Sequence, residues 1–228
     1  MVMSYLDIAL GRDYNLTFEH KFGVNPNLVS GTQSIWTQGG LYPWAALDNP
    51  ETLYVISTNG SDIGSITLYG LDENYLPLTE TVAMTGQIAA PTQNQFKRIF
   101  RMITAITNAG TITARTVSGS GTVVAHMEAG KSQTLMAIYT IPATVNAYST
   151  QFTVGIGKGG DASFSPYVRE FGGAFRVRGE LEIYETTFTQ TYSVPIPIGP
   201  RADIDFRATT SGNNFPATAS FDLINYKR

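Results

Sequence analysis

The chain has 228 residues, no cysteine, a net charge of −3 and only 14% charged residues, against roughly 25% in ordinary soluble domains. These values exclude a disulfide framework, a thiolate metal site and a cysteine nucleophile, and the absence of a basic stripe speaks against direct contact with nucleic acid. No stretch approaches the about 18 apolar residues that a membrane span needs, and the start, Met1 to Asp7, lacks the basic and apolar regions of a signal peptide, so no membrane partner and no leader are expected.

In chain order, residues 1–20 show scattered apolar positions and predict an extended N-terminal arm. Residues 21–50 are punctuated by Gly23, Pro26, Gly39, Gly40 and Pro43 and read as loop; both tryptophans, Trp36 and Trp44, fall here. From Leu53 the period becomes two. Leu53 to Ile56 is a short strand, and Ile66 to Tyr69 and Leu78 to Met84 form a hairpin around Gly70-Leu71-Asp72-Glu73-Asn74. Residues 96–107 carry Phe96, Ile99, Phe100 and Ile103 at helical spacing, yet Thr104, Ile106 and Thr107 suit a strand, which is the reading favoured. Short strands follow at 112–117 and 122–127, and the polar break Glu128-Ala129-Gly130-Lys131 marks a domain boundary.

Beyond it, strands are predicted at 135–141 and 152–156. Phe175, Val177, Leu181 and Ile183 face one way along a long strand or hairpin, against Arg176, Arg178, Glu180 and Glu182. Ala202, Ile204, Phe206 and Ala208 repeat the pattern against Asp203, Asp205 and Arg207, as do Ala219, Phe221 and Leu223 near the end. Such alternation predicts an apolar face on a core and a polar face in water. With 28 threonines, 22 glycines and 24 Phe and Tyr residues, the chain is expected to be all-β, a β-sandwich or jelly roll in two β-rich halves. The domains are then an arm at 1–20, an N-terminal β domain at 21–128 and a C-terminal sandwich at 129–228.

The candidate chemistry is thin. His20 and His126 are about a hundred residues apart with no second ligand beside either, and no metal site is expected. No G-x-S-x-G elbow occurs. Asp203/Asp205 and Glu180/Glu182 are carboxylate pairs at i, i+2 that could bind calcium or do a glycosidase's work, but neighbouring arginines make a polar strand face the simpler account. Gly155-Ile156-Gly157-Lys158-Gly159-Gly160 lacks the Ser or Thr after lysine and the helix of a phosphate loop, and reads as a hairpin turn. Asn15-Leu16-Thr17 and Asn59-Gly60-Ser61 match the glycosylation pattern, without consequence if there is no leader. Phe22, Trp36, Tyr42 and Trp44 form an aromatic cluster that could make an interface, stack on sugar rings or plug one end of a core.

One further signal is the order of several segments: Phe22-Gly23-Val24-Asn25-Pro26-Asn27, Ile35 to Tyr42, Ile66 to Tyr75, Gly130 to Ala143, and Arg169-Glu170-Phe171-Gly172-Gly173-Ala174-Phe175-Arg176. From about residue 20 to the C-terminus this order resembles a family of structural proteins of tailed, mainly marine, bacteriophages. Residues 1–19 have no counterpart, and Ala143-Thr144-Val145-Asn146 stands where the family often has a Gly-Lys turn. The resemblance implies a virion protein made in the host cytoplasm, without catalysis or cofactor, and carries over no site residue. Its expected partners are copies of itself, as a trimer or higher ring, and a major capsid protein or neck or tail proteins. Capsid decoration is the favoured place, and a receptor- or carbohydrate-binding module on the tail or neck is the alternative.

Overall fold

The computed structural model describes residues 7, 8, 10–212 and 214–228, and among these the chain is all-β. The first four strands are β1 (Leu16–Leu28), β2 (Gly31–Ser34), β3 (Glu51–Ser57) and β4 (Ile63–Leu71). They are followed by β5 (Pro77–Thr85), β6 (Ala90–Phe96), β7 (Arg98–Thr104), β8 (Ile112–Arg115) and β9 (Val123–Met127). The second half holds β10 (Ile138–Thr140), β11 (Val145–Ile156), β12 (Asp161–Arg169), β13 (Arg176–Val177) and β14 (Leu181–Tyr184). It ends with β15 (Thr187–Ile198), β16 (Asp203–Thr210) and β17 (Phe215–Lys227). Among the described residues no helix is long and apolar enough to cross a membrane.

Two sandwiches result. One sheet runs β1-β17-β11-β15 and faces a second in which β16 lies between β12 and the pair β2 and β10, with β13 and β14 on the far side of β12. Taking β2 with β10, and β13 with β14, as single interrupted strands gives the orders 1-8-3-6 and 2-7-4-5, the double Greek-key winding of a jelly roll. Its core holds Phe152, Phe164, Phe206, Phe221, Ile204 and Leu223. The second sandwich packs β6-β3-β8-β9 on β5-β4-β7 around Leu53, Ile66, Leu68, Phe96 and Met102.

The second sandwich is inserted into the first. β2 and β10 both pair with β16, end to end along it. The chain leaves this shared strand at Ile35, whose N–H donates to Phe206 O, and returns at Ala137, whose O accepts from Phe206 N–H. Ala137 N–H also donates to Ile35 O at 2.9 Å, so the insertion, residues 36–136, departs and returns at one point. Gly23 of β1 lies against that point: a Cβ on it would sit 2.2 Å from Ala137 N and 2.4 Å from Ile35 O.

This corrects the expected domains. The division at 128/129 fails because β1 and β2, expected as arm and loop, pair with β17 and β16 and belong to the C-terminal body. Of the expected arm, residues 1–6 and 9 lie outside the described residues. Gly11 N–H donates to Ile8 O and Arg12 N–H to Asp7 O, Arg12 and Asp7 also form an ion pair, and Leu16 onward is strand. Proline 26 did not break β1 because it falls at the irregularity between Asn25 and Leu28. Residues 98–104 are strand, in line with the favoured reading.

The long strand or hairpin expected through Phe175 and Ile183 is instead two short strands, β13 and β14, each paired with β12 and not with the other. Pro166 explains the interruption. Its carbonyl accepts from Arg178 N–H, so its ring nitrogen, which has no hydrogen, points to the same side, where the partner strand breaks. The glycine-rich turn joins β11 to β12, but these strands lie in different sheets, so it is a crossing from one sheet to the other and not the hairpin expected.

Candidate functional site

Two features stand out: a buried polar seam between the sandwiches and an open side of the jelly roll. The seam grows from β16. Ile204, Phe206 and Ala208 face the jelly-roll core. The other face of the strand, Asp203, Asp205 and Arg207, was expected in water, yet both aspartates are buried because the insertion covers them.

Asp203 accepts from Arg98 Nε at 2.9 Å and Arg98 Nη2 at 3.3 Å, from Arg169 Nε at 2.8 Å and Nη2 at 2.6 Å, and from Thr140 Oγ1 at 2.6 Å. Arg98 also donates to Leu47 O at 2.6 Å. Burial opposes its charge, but the Asp203 carboxylate outweighs burial and holds the guanidinium pKa above its usual value. Asp205 Oδ2 accepts from Trp44 Nε1 at 3.0 Å and from Arg207 Nε at 2.9 Å. Burial nonetheless raises the Asp205 pKa, against the opposing pull of Arg207, Trp44 and Ser34. Aromatic rings complete the seam. Arg98 and Arg169 both lie 5.6 Å from the Trp44 ring, and Arg169 and Arg207 both lie 4.8 Å from that of Phe175.

This geometry decides what the aromatic cluster does. Trp36, Tyr42 and Trp44 are 2%, 4% and 6% exposed. They form an edge-to-face ladder with centroids 5.1 and 4.8 Å apart. Tyr42 Oη donates to Val124 O at 3.0 Å. The three fill the insertion core down to the seam and offer no face to a sugar or to another chain, which corrects the stacking and interface readings for them. Phe22 lies apart, half-buried and stacked on His20 at 5.7 Å.

The carboxylate pairs are likewise separated from hydrolytic geometry. Asp203 is saturated with donors and sealed from water, so it has no lone pair free to take a proton from one. Glu180 and Glu182 are exposed on the jelly-roll rim, where Glu180 accepts from Ser163 Oγ at 2.8 Å. The histidines are held singly, His20 Nδ1 against Asp222 Oδ1 at 2.5 Å and His126 Nδ1 against Thr37 Oγ1 at 3.0 Å. Among the described residues no three His, Asp or Glu side chains come together as metal ligands.

The open side is formed by β13, β14 and β15. Between residues 170 and 196 only Ile183 is buried. Tyr184 and Val194 are 77% and 79% exposed, and Phe171, Val177 and Phe188 are also exposed. β15 pairs with β11 on one side and, among the described residues, has no strand on the other. Alternation could not reveal this segment as a surface, because its apolar residues read as a core-facing row.

No family model matches the chain, and no curated protein matches it. Among solved structures it is similar to an isomalto-dextranase of Arthrobacter globiformis at 10% identity and a TM-score of 0.27, over 90% of this chain and 35% of that one. The chain therefore spans about a third of that enzyme's length. It is also similar to the infectious bursal disease virus Gx strain structure at 11% identity and a TM-score of 0.22, covering 93% of this chain and 76% of that one. The VP2 subviral particle of the same virus gives 9% identity and a TM-score of 0.19, over 93% and 73% of the two chains. Scores this low do not place the chain with any of these proteins.

Proposed function

We propose that this chain is a structural protein of a tailed-bacteriophage virion that works by assembly with itself and with a capsid or tail scaffold, not by catalysis. The observation that carries the reading is the open side of the jelly roll. From residue 170 to 196 it exposes five large apolar side chains and a strand edge with no neighbouring strand among the described residues. A monomer in water gains nothing from such a surface, and a lattice does.

Two further points support it. The resemblance to phage structural proteins runs through both sandwiches. Jelly rolls also recur in viral shells, although they recur in lectins too, so the winding alone does not choose between them. The lectin-like alternative has lost its aromatic platform, since Trp36, Tyr42 and Trp44 are core residues. Within the virion, capsid decoration remains the favoured place.

The test is copy number in purified particles of the encoding phage, by quantitative gel densitometry. On the order of hundreds of copies indicates capsid decoration, and about a dozen indicates neck or tail, since virion parts follow the symmetry of the site they occupy. A protein expressed during infection but missing from purified particles overturns the proposal.

A further inference from the structure

We infer that residues 187–191 of β15 pair antiparallel with the same residues of a second copy of the chain, about a two-fold axis at Thr189. This rests on the assembly reading above and names the surface and the occupant.

The ladder shows which backbone groups are free. Ile156 N–H donates to Thr186 O. In the register Val154↔Phe188 and Phe152↔Gln190, alternation then makes Phe188 and Gln190 the residues bonded to β11. The N–H and C=O groups of Thr187, Thr189 and Thr191 point the other way, to the side with no strand among the described residues; of these, Thr191 O accepts from the Gln190 side chain at 2.9 Å, a contact that a partner strand would displace. On the far side of β11 the pattern agrees: Gly157 N–H donates to Pro216 O, which places Gly155 and Thr153 in bonded pairs with β17.

The rest of β15 is closed to pairing. The register slips between Ser149 and Gln151, and four residues of β15, 192–195, are left outside the ladder. Beyond the slip, Arg228 N–H donates to Thr144 O, so Tyr148 bonds to β17 and its β15 neighbour, Pro197, faces outward. That outward position has no N–H to offer. The pairing-competent edge is therefore limited to residues 187–191.

The occupant follows from the sequence of that segment, Thr187-Phe188-Thr189-Gln190-Thr191, which carries no charge. In a two-fold pair every residue faces a residue of the same segment, so any charge would meet its like across the strands or near them. An uncharged edge is the one kind that pairs with itself freely, whereas the neighbouring rim at β14 carries Glu182 and Glu180 beside it. The axis at Thr189 sets Thr189 against Thr189 and Thr187 against Thr191, and Phe188 against Gln190. Threonine pairs of this kind already bridge strands within the chain, Thr153–Thr189 at 2.9 Å, Thr67–Thr81 at 3.0 Å and Thr32–Thr209 at 2.8 Å. The result joins two four-stranded sheets into one of eight, and it replaces the trimer or ring expected from sequence with an isologous two-fold contact.

Sedimentation equilibrium of the full chain, with Thr189→Pro and Thr189→Lys, tests this. The wild type should dimerise, and both variants should weaken the dimer by about tenfold or more, with near-UV circular dichroism unchanged. The lysine variant keeps the test open if proline disturbs the fold. Hydrogen exchange adds a residue-level readout. The amides of Thr187, Thr189 and Thr191 should gain protection as concentration rises, while those of Phe188 and Gln190 are protected throughout. A wild type that stays monomeric at high concentration, variants that dimerise as tightly as wild type, or a dimer in which those three threonine amides exchange freely would each overturn the pairing. A two-fold dimer from a protein absent from virions would sink the virion reading alone, and a virion protein that is monomeric in solution would sink the edge pairing alone.

Discussion

The sheet β1-β17-β11-β15 has two ends that could have been alike. β1 ends it on one side, and its edge is covered by the inserted sandwich. Lys21 Nζ donates to Phe100 O at 2.6 Å, Arg101 Nη2 donates to His20 O and pairs with Glu19 at 3.2 Å, and Val24 N–H reaches Leu135 O. β15 ends it on the other side, and among the described residues no strand pairs with the outer edge of residues 187–191. The difference is made by the insertion, which fastens to the β16 face and caps the near edge but leaves the far one open. A strand edge is a demand for hydrogen bonds. Here one demand is met within the chain and the other is not met by any described strand.

If the seam is what holds the cap in place, breaking it should expose the covered edge. Asp203→Asn leaves Arg98 buried without a counter-charge, and loss of one partner of a buried pair costs about 3–5 kcal/mol. Urea unfolding should report a loss of that size, and the Val24 amide, which donates to Leu135 O, should exchange faster than in wild type. Unchanged stability would mean that the seam contributes little to the cap.

A smaller loss is expected at the crossing point. Gly23→Ala drives a methyl into the backbone of Ala137 and Ile35, which cannot give way as a flexible side chain would. Overpacking costs about 1–3 kcal/mol, and the upper end is expected here, read as a fall in the urea midpoint. Ala at Gly39, where the nearest atom is 3.7 Å away but φ is +74°, serves as a comparison in which backbone strain, not crowding, sets the cost.

Third is a pH effect that exists only because β1 is covered. Lys21 is 2% exposed. Burial, helped by Arg101 and opposed by Glu19, pulls its pKa from 10.5 down to about 7. Between those two values the unfolded chain holds a proton that the folded chain has released, so stability rises with pH across that window and falls as pH drops toward 7. Lys21→Met should flatten this slope, seen as a shrinking difference in thermal midpoint between variant and wild type as pH rises. Parallel curves for the two proteins would show that Lys21 remains charged.

The smallest effect belongs to the open edge. Thr189→Lys on the monomer should alter unfolding free energy by no more than about 1 kcal/mol, because the side chain is exposed and gives up only its hydrogen bond to Thr153. A large destabilisation would mean that the edge is not free.

Much of the strand content was legible in the sequence, for particular reasons. Ile66 to Tyr69 and Leu78 to Met84 alternate around a turn, and they pair in register, Ile66 with Val82 and Leu68 with Glu80. β12 was hidden by Pro166, a strand breaker that here sits where its neighbouring strand is interrupted. β15 was hidden because Pro195 and Pro197 and its threonines show no apolar alternation. The aromatic cluster was visible as a cluster, but composition cannot tell an exposed platform from a core, and burial of Trp44 depends on Asp205 across the chain.

By itself the sequence determined that the chain is all-β and free of thiol chemistry, because the period of two and the residue types act locally, strand by strand. Only the tertiary structure decided which body each strand joins, since pairing Leu16 to Leu28 with a strand some 200 residues away leaves no mark on either segment. It also decided what the polar face of β16 meets. Asp203, Asp205 and Arg207 alternate with apolar neighbours just as a solvated face would, and the pattern reads the same whether water or an inserted sandwich covers it. Charge alternation reports that a face is polar. What satisfies that polarity is settled by long-range packing, which here supplies Arg98 and Trp44 from the insertion on one face of the jelly roll and leaves the edge of β15 unpaired on its rim.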